Sequence, residues 1–173
     1  MKAAFIVSLG LCVAGLVTRT AYEILKKDGK VDTRNKAIFA VVFVAMCLML
    51  ASWIVMCPLD PWRINLPDAV RVLGVVVLAA GLGIAITGLI QLRALENTDH
   101  LVTHGLYSKL RHPMYTGFIL WILGWVIVYG AIVSLLIGVF CIGNIIYWRR
   151  LEEHKLLVQY GEEYVTYRRR TLF

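Results

Sequence analysis

An all-α, polytopic membrane helical bundle of about five transmembrane helices is predicted by three observations. Of the 173 residues, 60% are hydrophobic and only 17% charged; the mean hydropathy is +0.73; and the apolar residues fall in long charge-free blocks separated by short basic ones. A soluble domain averages about 45–50% apolar and about 25% charged residues, so too little polar surface remains here to face water. The length suits one unit, residues 1–173.

The charge-free runs cover residues 3–18, 37–59, 72–92 and 112–148. A helix rises about 1.5 Å per residue through a hydrocarbon layer about 30 Å thick, so roughly 20 residues make one crossing. The second and third runs are each one span. The first is short, and its helix is expected to continue to about Leu25, with Arg19 reaching back to the headgroups. Fully helical, the last run would extend about 55 Å, so it is expected to fold into a tight hairpin near Tyr129, Gly130 and Ala131. Five spans result, three of them within residues 1–90.

Positive charge tests that count independently. Lys and Arg number six in residues 19–36, one in 58–68, three in 91–113, none at the hairpin turn and six in 149–173. This alternation places the N-terminus outside and the C-terminus in the cytoplasm. The net charge of +7 is thus assigned to topology first and to anionic membrane lipids second; no nucleic-acid partner is expected. Lys2 before an apolar stretch is the usual opening of a signal peptide, but no A-x-A site follows, and the first span is read as retained. Gly10 and Ala14, and Gly74, Gly81, Ala85 and Gly88, supply small residues for close helix packing. Cys12, Cys47, Cys57 and Cys141 form no CxxC and read as apolar fillers.

Two stretches are not explained by crossing a bilayer, 91–115 and 148–167, and both face the cytoplasm in this topology. The first contains Asp99, His100, Leu101, Val102, His104, Tyr107 and then Arg111-His112-Pro113-Met114-Tyr115. Pro113 is the expected first residue of a helix, with His112 at the cap position, and the free N–H groups of that turn suit an anion. Arg111 reads as a snorkelling anchor, and Tyr107 and Tyr115 as an interfacial belt. His100 and His104 have i, i+4 metal-ligand spacing, but Gly105 argues against a helix there; no metal is expected. The second stretch, Trp148-Arg149-Arg150-Leu151-Glu152-Glu153-His154, sets two carboxylates within a turn of two guanidinium groups. Beyond it Glu153, Leu157, Tyr160, Tyr164 and Tyr167 form a stripe suited to covering the bundle's cytoplasmic opening as a short C-terminal helical segment, which Gly161 breaks.

The order L-V-T-x-G-L-Y-x-x-x-R-H-P-M-Y-x-G, a long apolar hairpin, and then E-E-x-x-L-x-x-x-Y-G-E-E-Y-x-x-Y resembles the isoprenylcysteine carboxyl methyltransferase family and its phospholipid N-methyltransferase relatives, over about residues 91–170. The resemblance implies an S-adenosylmethionine-dependent methyltransferase of the membrane, with 91–173 as its cofactor-binding and catalytic region. It implies that Asp99, His100, Leu101, Val102, Tyr107, His112, Pro113, Met114, Tyr115, Glu152 and the neighbouring Glu153 surround the cofactor, with a family glutamine matching Gln91. The family arginine that holds a substrate carboxylate is matched to Arg149, with Arg150 in reserve, although counting back from the carboxylates lands on Trp148. Arg149, Glu152 and His112 then carry the catalytic roles.

S-adenosylmethionine offers a carboxylate, an ammonium, an adenine and a sulfonium, which suit a helix N-terminus, an acidic residue, an apolar slot and nearby carbonyls or ring faces. An ionised carboxylate acceptor needs placement and exclusion of water but no base; an amine acceptor needs one, for which His112, His104 or Glu153 could serve. A lipophilic acceptor, foremost the C-terminal carboxylate of an isoprenylated cysteine, would enter from the bilayer. The alternatives are a phospholipid N-methyltransferase, a sterol-type reductase using NADPH at Arg168, Arg169 and Arg170, and a non-catalytic scaffold. The small size points to a prokaryotic plasma membrane; nothing in the sequence fixes an oligomeric state.

Overall fold

The computed structural model describes residues 3–32, 35–93 and 101–173. Six α-helices follow one another: α1 (Ala3–Lys27), α2 (Lys36–Met56), α3 (Asp68–Arg93), α4 (Pro113–Tyr129), α5 (Ile132–Tyr160) and α6 (Glu162–Arg170). Short 3₁₀ turns at Cys57–Leu59 and Gly105–Ser108 complete the regular structure. No strand occurs among the described residues, which carry only isolated bridges.

Length follows from where charge and turn residues interrupt the apolar runs. Asn35 opens α2, its side-chain oxygen accepting from Ala37 N at 2.9 Å, and so satisfies one of the donors a helix start leaves free. α4 begins at Pro113, whose ring suits a first turn, and ends at Gly130 with φ +59, the left-handed cap that a residue without Cβ adopts cheaply. α1, α2 with its 3₁₀ turn, α3 and α5 are long and apolar enough to cross a bilayer. α4 is apolar but has 17 residues, about 26 Å of helix. Four helices rather than five therefore meet the length requirement unaided.

Helix α1 packs on α2 and α5, and α4 packs on α3 and α5. The core lies where α1, α2, α4 and α5 converge, around Phe5, Cys12, Trp53, Met56, Trp121 and Trp148. Away from it, large apolar side chains such as Val72, Val76, Val139 and Phe140 stand exposed, as suits helices solvated by lipid rather than water.

The α3–α4 pair is antiparallel and close. A Cβ on Gly117 would meet Gly81 O at 2.5 Å and Ala85 N at 2.6 Å; one on Gly124 would meet Leu78 N at 2.6 Å. The small residues expected on α3 thus face small partners on α4, and backbone approach replaces side-chain interdigitation. Gly10, by contrast, has nothing within 4 Å of a built Cβ; on α1 the residue abutting a neighbour is Gly15, against Met49 of α2.

At the end of the bundle remote from the charged motifs, Asp60 is buried at 5% exposure. Its Oδ2 accepts from Ser134 N at 2.6 Å and Ser134 Oγ at 2.7 Å, and its Oδ1 from Trp62 N at 2.8 Å. A carboxylate thereby caps the first turn of α5, where the helix dipole favours negative charge. Ile64 N donating to Gly130 O and Ile132 N to Trp62 O, both at 2.9 Å, tie the α2–α3 loop to the α4–α5 turn.

Two expectations follow. Asp60→Ala strands buried donors and should cost about 1–3 kcal/mol, read as a lower midpoint of unfolding in detergent micelles. Gly117→Leu should destabilise by about 1–3 kcal/mol or more through overpacking, whereas Gly83→Ala, with open space around it, should stay within about 0.5 kcal/mol of the parent in the same assay.

Candidate active site

The helix directions bring the ends of α1, α3 and α5 and the starts of α2 and α4 to one end of the bundle, as the contacts Gly88–Pro113 and Thr20–Trp148 mark. His112, just ahead of α4, is buried at 5% exposure. Its Nδ1 lies 3.7 Å from Glu152 Oε2 and its Nε2 3.4 Å from Glu153 Oε1. The two sequence motifs therefore meet at this imidazole. It makes no capping bond to its own helix; the carboxylates of α5 take that side chain instead.

Glu153 gathers the cations. Arg111 Nε stands 3.3 Å and Arg149 Nε 3.8 Å from the same Oε1. Arg111 is not the snorkelling anchor expected of it. Its NH1 donates to Thr171 O at 2.6 Å and Arg168 O at 2.9 Å, while Arg111 N donates to Leu172 O at 3.0 Å and Leu172 N to Lys109 O at 2.8 Å. This strap brings Phe173 into the site: its ring lies 4.5 Å from the Arg149 guanidinium and edge-on to His112 at 6.5 Å. Arg149 thus joins the cluster and Arg150 does not; Arg150 is exposed on the outer side of α5.

Tyr115 stacks on His112 at 5.5 Å. Tyr107 is buried in the 3₁₀ turn, and its carbonyl accepts from Tyr167 Oη at 2.7 Å. Gln91 Oε1 accepts from Leu106 N at 2.9 Å, so its carbonyl end serves the loop that carries Tyr107. Pro113 is buried, Leu101, Val102 and Met114 are half-buried, and Asp99 and His100 lie outside the described residues. The stripe breaks at Gly161, φ +52, between α5 and α6. Tyr164 and Tyr167 are buried, whereas Leu157 is exposed.

Burial dominates the electrostatics. It pulls the His112 pKa below the ordinary value although Glu152 and Glu153 push the other way, because an imidazolium loses more hydration than two flanking carboxylates return. Burial, reinforced first by Glu152, pushes the Tyr107 phenol up to about 12; Tyr164, beside Glu153, rises to about 12 as well. Both phenols stay protonated donors at neutral pH.

Three polar atoms here are buried without a hydrogen-bond partner: His112 Nε2, Arg149 Nε and Tyr164 Oη. Such atoms are rare in native structures, and the first two face Glu153 Oε1 at 3.4 and 3.8 Å without hydrogen-bond geometry. Glu152, its side chain 44% exposed, supplies an accessible carboxylate beside them. An accessible carboxylate, the free N–H groups of a helix start and the side chains of Tyr115 and Met114 together have the chemistry that a zwitterionic, partly apolar ligand such as S-adenosylmethionine would need.

Two spaces flank the site. An apolar cavity of about 30 Å³, roughly one water's volume, lies among α1, α2, α4 and α5 and is lined by Met46, Met49, Trp53, Tyr115 and Trp148 and by the stem of Arg19. An open cleft of about 360 Å³ runs between α1 and α5, lined by Glu23, Lys26, Lys27, Glu152 and Lys155. Arg19 does not reach toward headgroups. Its NH2 pairs with Glu23 at 2.6 Å and its guanidinium faces Trp148. Phe173 and the Arg19–Glu23 pair escaped the sequence reading. A lone acidic residue i+4 from an arginine at the end of an apolar run was the available signal, because such a residue needs a partner.

A family model described as phospholipid methyltransferase matches residues 69–163, more than half of the chain. Protein-S-isoprenylcysteine O-methyltransferase of Schizosaccharomyces pombe is 38% identical over 77 residues, 43% of this chain and 33% of that protein. Protein-S-isoprenylcysteine O-methyltransferase B of Arabidopsis thaliana is 33% identical over 94 residues, 51% and 45% of the two chains; the Tribolium castaneum enzyme of the first name is 34% identical over 76, 42% and 26%. The match thus spans less than half the length of each of these relatives. No solved structure matches significantly. The matched segment runs from α3 through the start of α6 and so contains both motifs that meet at His112, and on this ground the chain belongs to the phospholipid methyltransferase family.

Proposed function

We propose that the protein is an S-adenosylmethionine-dependent methyltransferase acting on a lipophilic acceptor that enters from the bilayer, foremost the C-terminal carboxylate of an isoprenylated cysteine or a similar small lipidic carboxylate. The observation that carries this reading is the meeting of His112 with Glu152 and Glu153 at 3.7 and 3.4 Å, beside both an apolar cavity and an open cleft. The names of the three curated relatives support the choice of acceptor.

In this reading the cofactor supplies an electrophilic methyl on a positively charged sulfur. Glu152 holds its ammonium, the first turn of α4 its carboxylate, and Tyr107, Pro113, Met114 and Tyr115 with Leu101, Val102, Asp99, His100 and Gln91 form or support the rest of its pocket. Arg149 holds the acceptor carboxylate; the Phe173 ring on one face of its guanidinium leaves the in-plane donors free. An ionised carboxylate needs no base, so His112 acts by keeping Glu152 and Glu153 in place and water out. A phospholipid amine is the second reading, favoured by the family description; the depressed pKa of His112 would leave it neutral and able to accept that acceptor's proton.

The topology belongs to the same proposal: N-terminus outside, C-terminus cytoplasmic, α4 as a fifth, short span. Its support is that α4 starts in the charged cluster and ends against Ile64 at the opposite end, which fixes it across the bundle's full height. No nucleic-acid partner is proposed.

S-adenosylhomocysteine should raise the melting temperature of the detergent-purified protein where NADPH does not, and label should pass from S-adenosylmethionine to a prenylcysteine acid. Glu152→Gln should weaken S-adenosylhomocysteine binding by about 10–100-fold, the loss of a charge-assisted bond of roughly 1.5–3 kcal/mol, by titration calorimetry. Unchanged affinity would remove the ammonium partner from the reading.

His112 also gives a pH signature. Its folded pKa lies below that of the unfolded chain, so as pH drops below about 6.5 the unfolded state binds the proton first and stability falls, by at most about 1.4 kcal/mol per pH unit for one proton. His112→Gln should remove this part of the slope in unfolding midpoints measured between pH 7 and 5.

A further inference from the structure

Arg149 carries a charge that its neighbouring carboxylate attracts but does not orient. Glu153 Oε1 lies 3.8 Å from Arg149 Nε, and the same oxygen already meets Arg111 Nε at 3.3 Å and His112 Nε2 at 3.4 Å. Arg149 Nε is buried without a hydrogen-bond partner. An attraction without a hydrogen bond draws the guanidinium toward Glu153 and leaves its plane free to turn. What covers it is Phe173, whose ring centre is 4.5 Å from the guanidinium carbon, so that the cation rests on the negative face of the ring.

Phe173 is itself held in place by residues 109–111. Leu172 forms a parallel bridge with Leu110, through Leu172 N donating to Lys109 O at 2.8 Å and Arg111 N to Leu172 O at 3.0 Å. Arg111 NH1 donates to Thr171 O at 2.6 Å, and Thr171 Oγ1 to Tyr167 O at 2.9 Å. In this strap Leu172 turns outward, 72% exposed, while Phe173 is half-buried against Arg149 and edge-on to His112. A ring forms no hydrogen bond with the guanidinium plane. It fixes that plane and shields one face from water, and the in-plane N–H fork, which matches a carboxylate, stays available.

We propose that Phe173 is a positioning residue for the acceptor: its ring sets the plane of the Arg149 guanidinium, and Arg111, by placing residues 171–173, sets the ring. This rests on the methyltransferase reading for what Arg149 holds, whereas the seating of the guanidinium on the ring does not. The acceptor carboxylate then meets a fork already oriented and partly desolvated, which lowers the ordering cost of binding. In that reading the methyl donor is held by Glu152 and the first turn of α4, so its affinity is the control.

The test uses the full chain in micelles, with N-acetyl-S-farnesylcysteine as the acid probe and tryptophan fluorescence as the binding readout. Phe173→Ala should weaken the acid about tenfold, a loss carried by KM rather than kcat, with S-adenosylhomocysteine affinity within about twofold of the parent. Phe173→Tyr should restore the acid; Phe173→Leu, apolar but without a ring face, should not. In NMR of isotope-labelled arginine, the Arg149 Nε–H signal, identified by its loss in Arg149→Lys, should carry an upfield ring-current shift that Phe173→Ala and Phe173→Leu remove. Parent-like acid affinity in a Phe173→Ala or Phe173→Leu protein that binds S-adenosylhomocysteine overturns the inference, and so does an Arg149 signal unchanged by Phe173→Leu. If Phe173→Ala fails to fold, Phe173→Leu carries the same test. A parent that binds S-adenosylhomocysteine but not the acid overturns the inference and leaves the methyltransferase reading standing. A parent that binds neither overturns that reading, and the Arg149 signal then decides separately whether the ring seats the guanidinium.

Discussion

A carboxylate sunk to 11% exposure at the end of an apolar bundle must be compensated, and Glu153 draws Arg111, Arg149 and His112 onto one oxygen to do it. Leaving such a charge unpaired costs several kcal/mol. That requirement fixes the rest of the charged end. It holds α5 against the start of α4; it turns Arg111 so that its remaining donors capture the carbonyls of Arg168 and Thr171; and it delivers Phe173 onto Arg149. The opposite end is secured by the same logic in miniature, Asp60 supplying one buried carboxylate to the first turn of α5. Between these two polar clamps the helices need little more than shape, which the glycines of α3 and α4 provide.

Much of this was legible in the sequence because the bilayer simplifies the code. Long charge-free runs are helices of predictable length, Pro113 and Gly130 bound α4 by local backbone preference, and Gly81 and Gly88 on α3 announced a tight helix contact. The site was legible to the extent that its residues belong to two dense motifs, so His112, Arg149, Glu152 and Glu153 could be named together. What was hidden depends on rotation and direction of side chains. Whether Arg19 turns outward to headgroups or inward to Trp148 is decided by the packing of α1 on α5, and no linear pattern encodes it. Phe173 and Asp60 were invisible for the same reason: Phe173 meets Arg149 and His112, and Asp60 meets Ser134, across more than twenty residues of intervening chain. Arg150, next to Arg149 in sequence, differs from it only by the 100° step of a helix, which is enough to leave it outside the cluster.

The charged end is also incompletely satisfied. His112 Nε2, Arg149 Nε and Tyr164 Oη form no hydrogen bond although each is buried, and Arg19 Nε on α1 shares that condition. A fold optimised for its own stability would pair these atoms or replace them with apolar ones. His112 and Arg149 gather at Glu153, next to the accessible carboxylate of Glu152, which is where the proposed recognition would draw on stability.

Methyl transfer between a cationic donor and an anionic acceptor is slowed by water, which stabilises both charges before they meet, and helped by any surface that desolvates them together. A soluble enzyme must close over its substrates to achieve this. In the proposed reaction the membrane would supply half of the enclosure: the acceptor's tail would stay among hydrocarbon, while a polar donor would approach by the cleft that Glu152 lines. Tyr115 lines the apolar cavity and stacks on His112, whose Nδ1 faces Glu152 of the cleft, so the contacts from one space to the other run through two rings. Where α4 begins therefore matters to the proposed chemistry, because His112 and Tyr115 stand at its start and set how the cavity side is placed relative to Glu152.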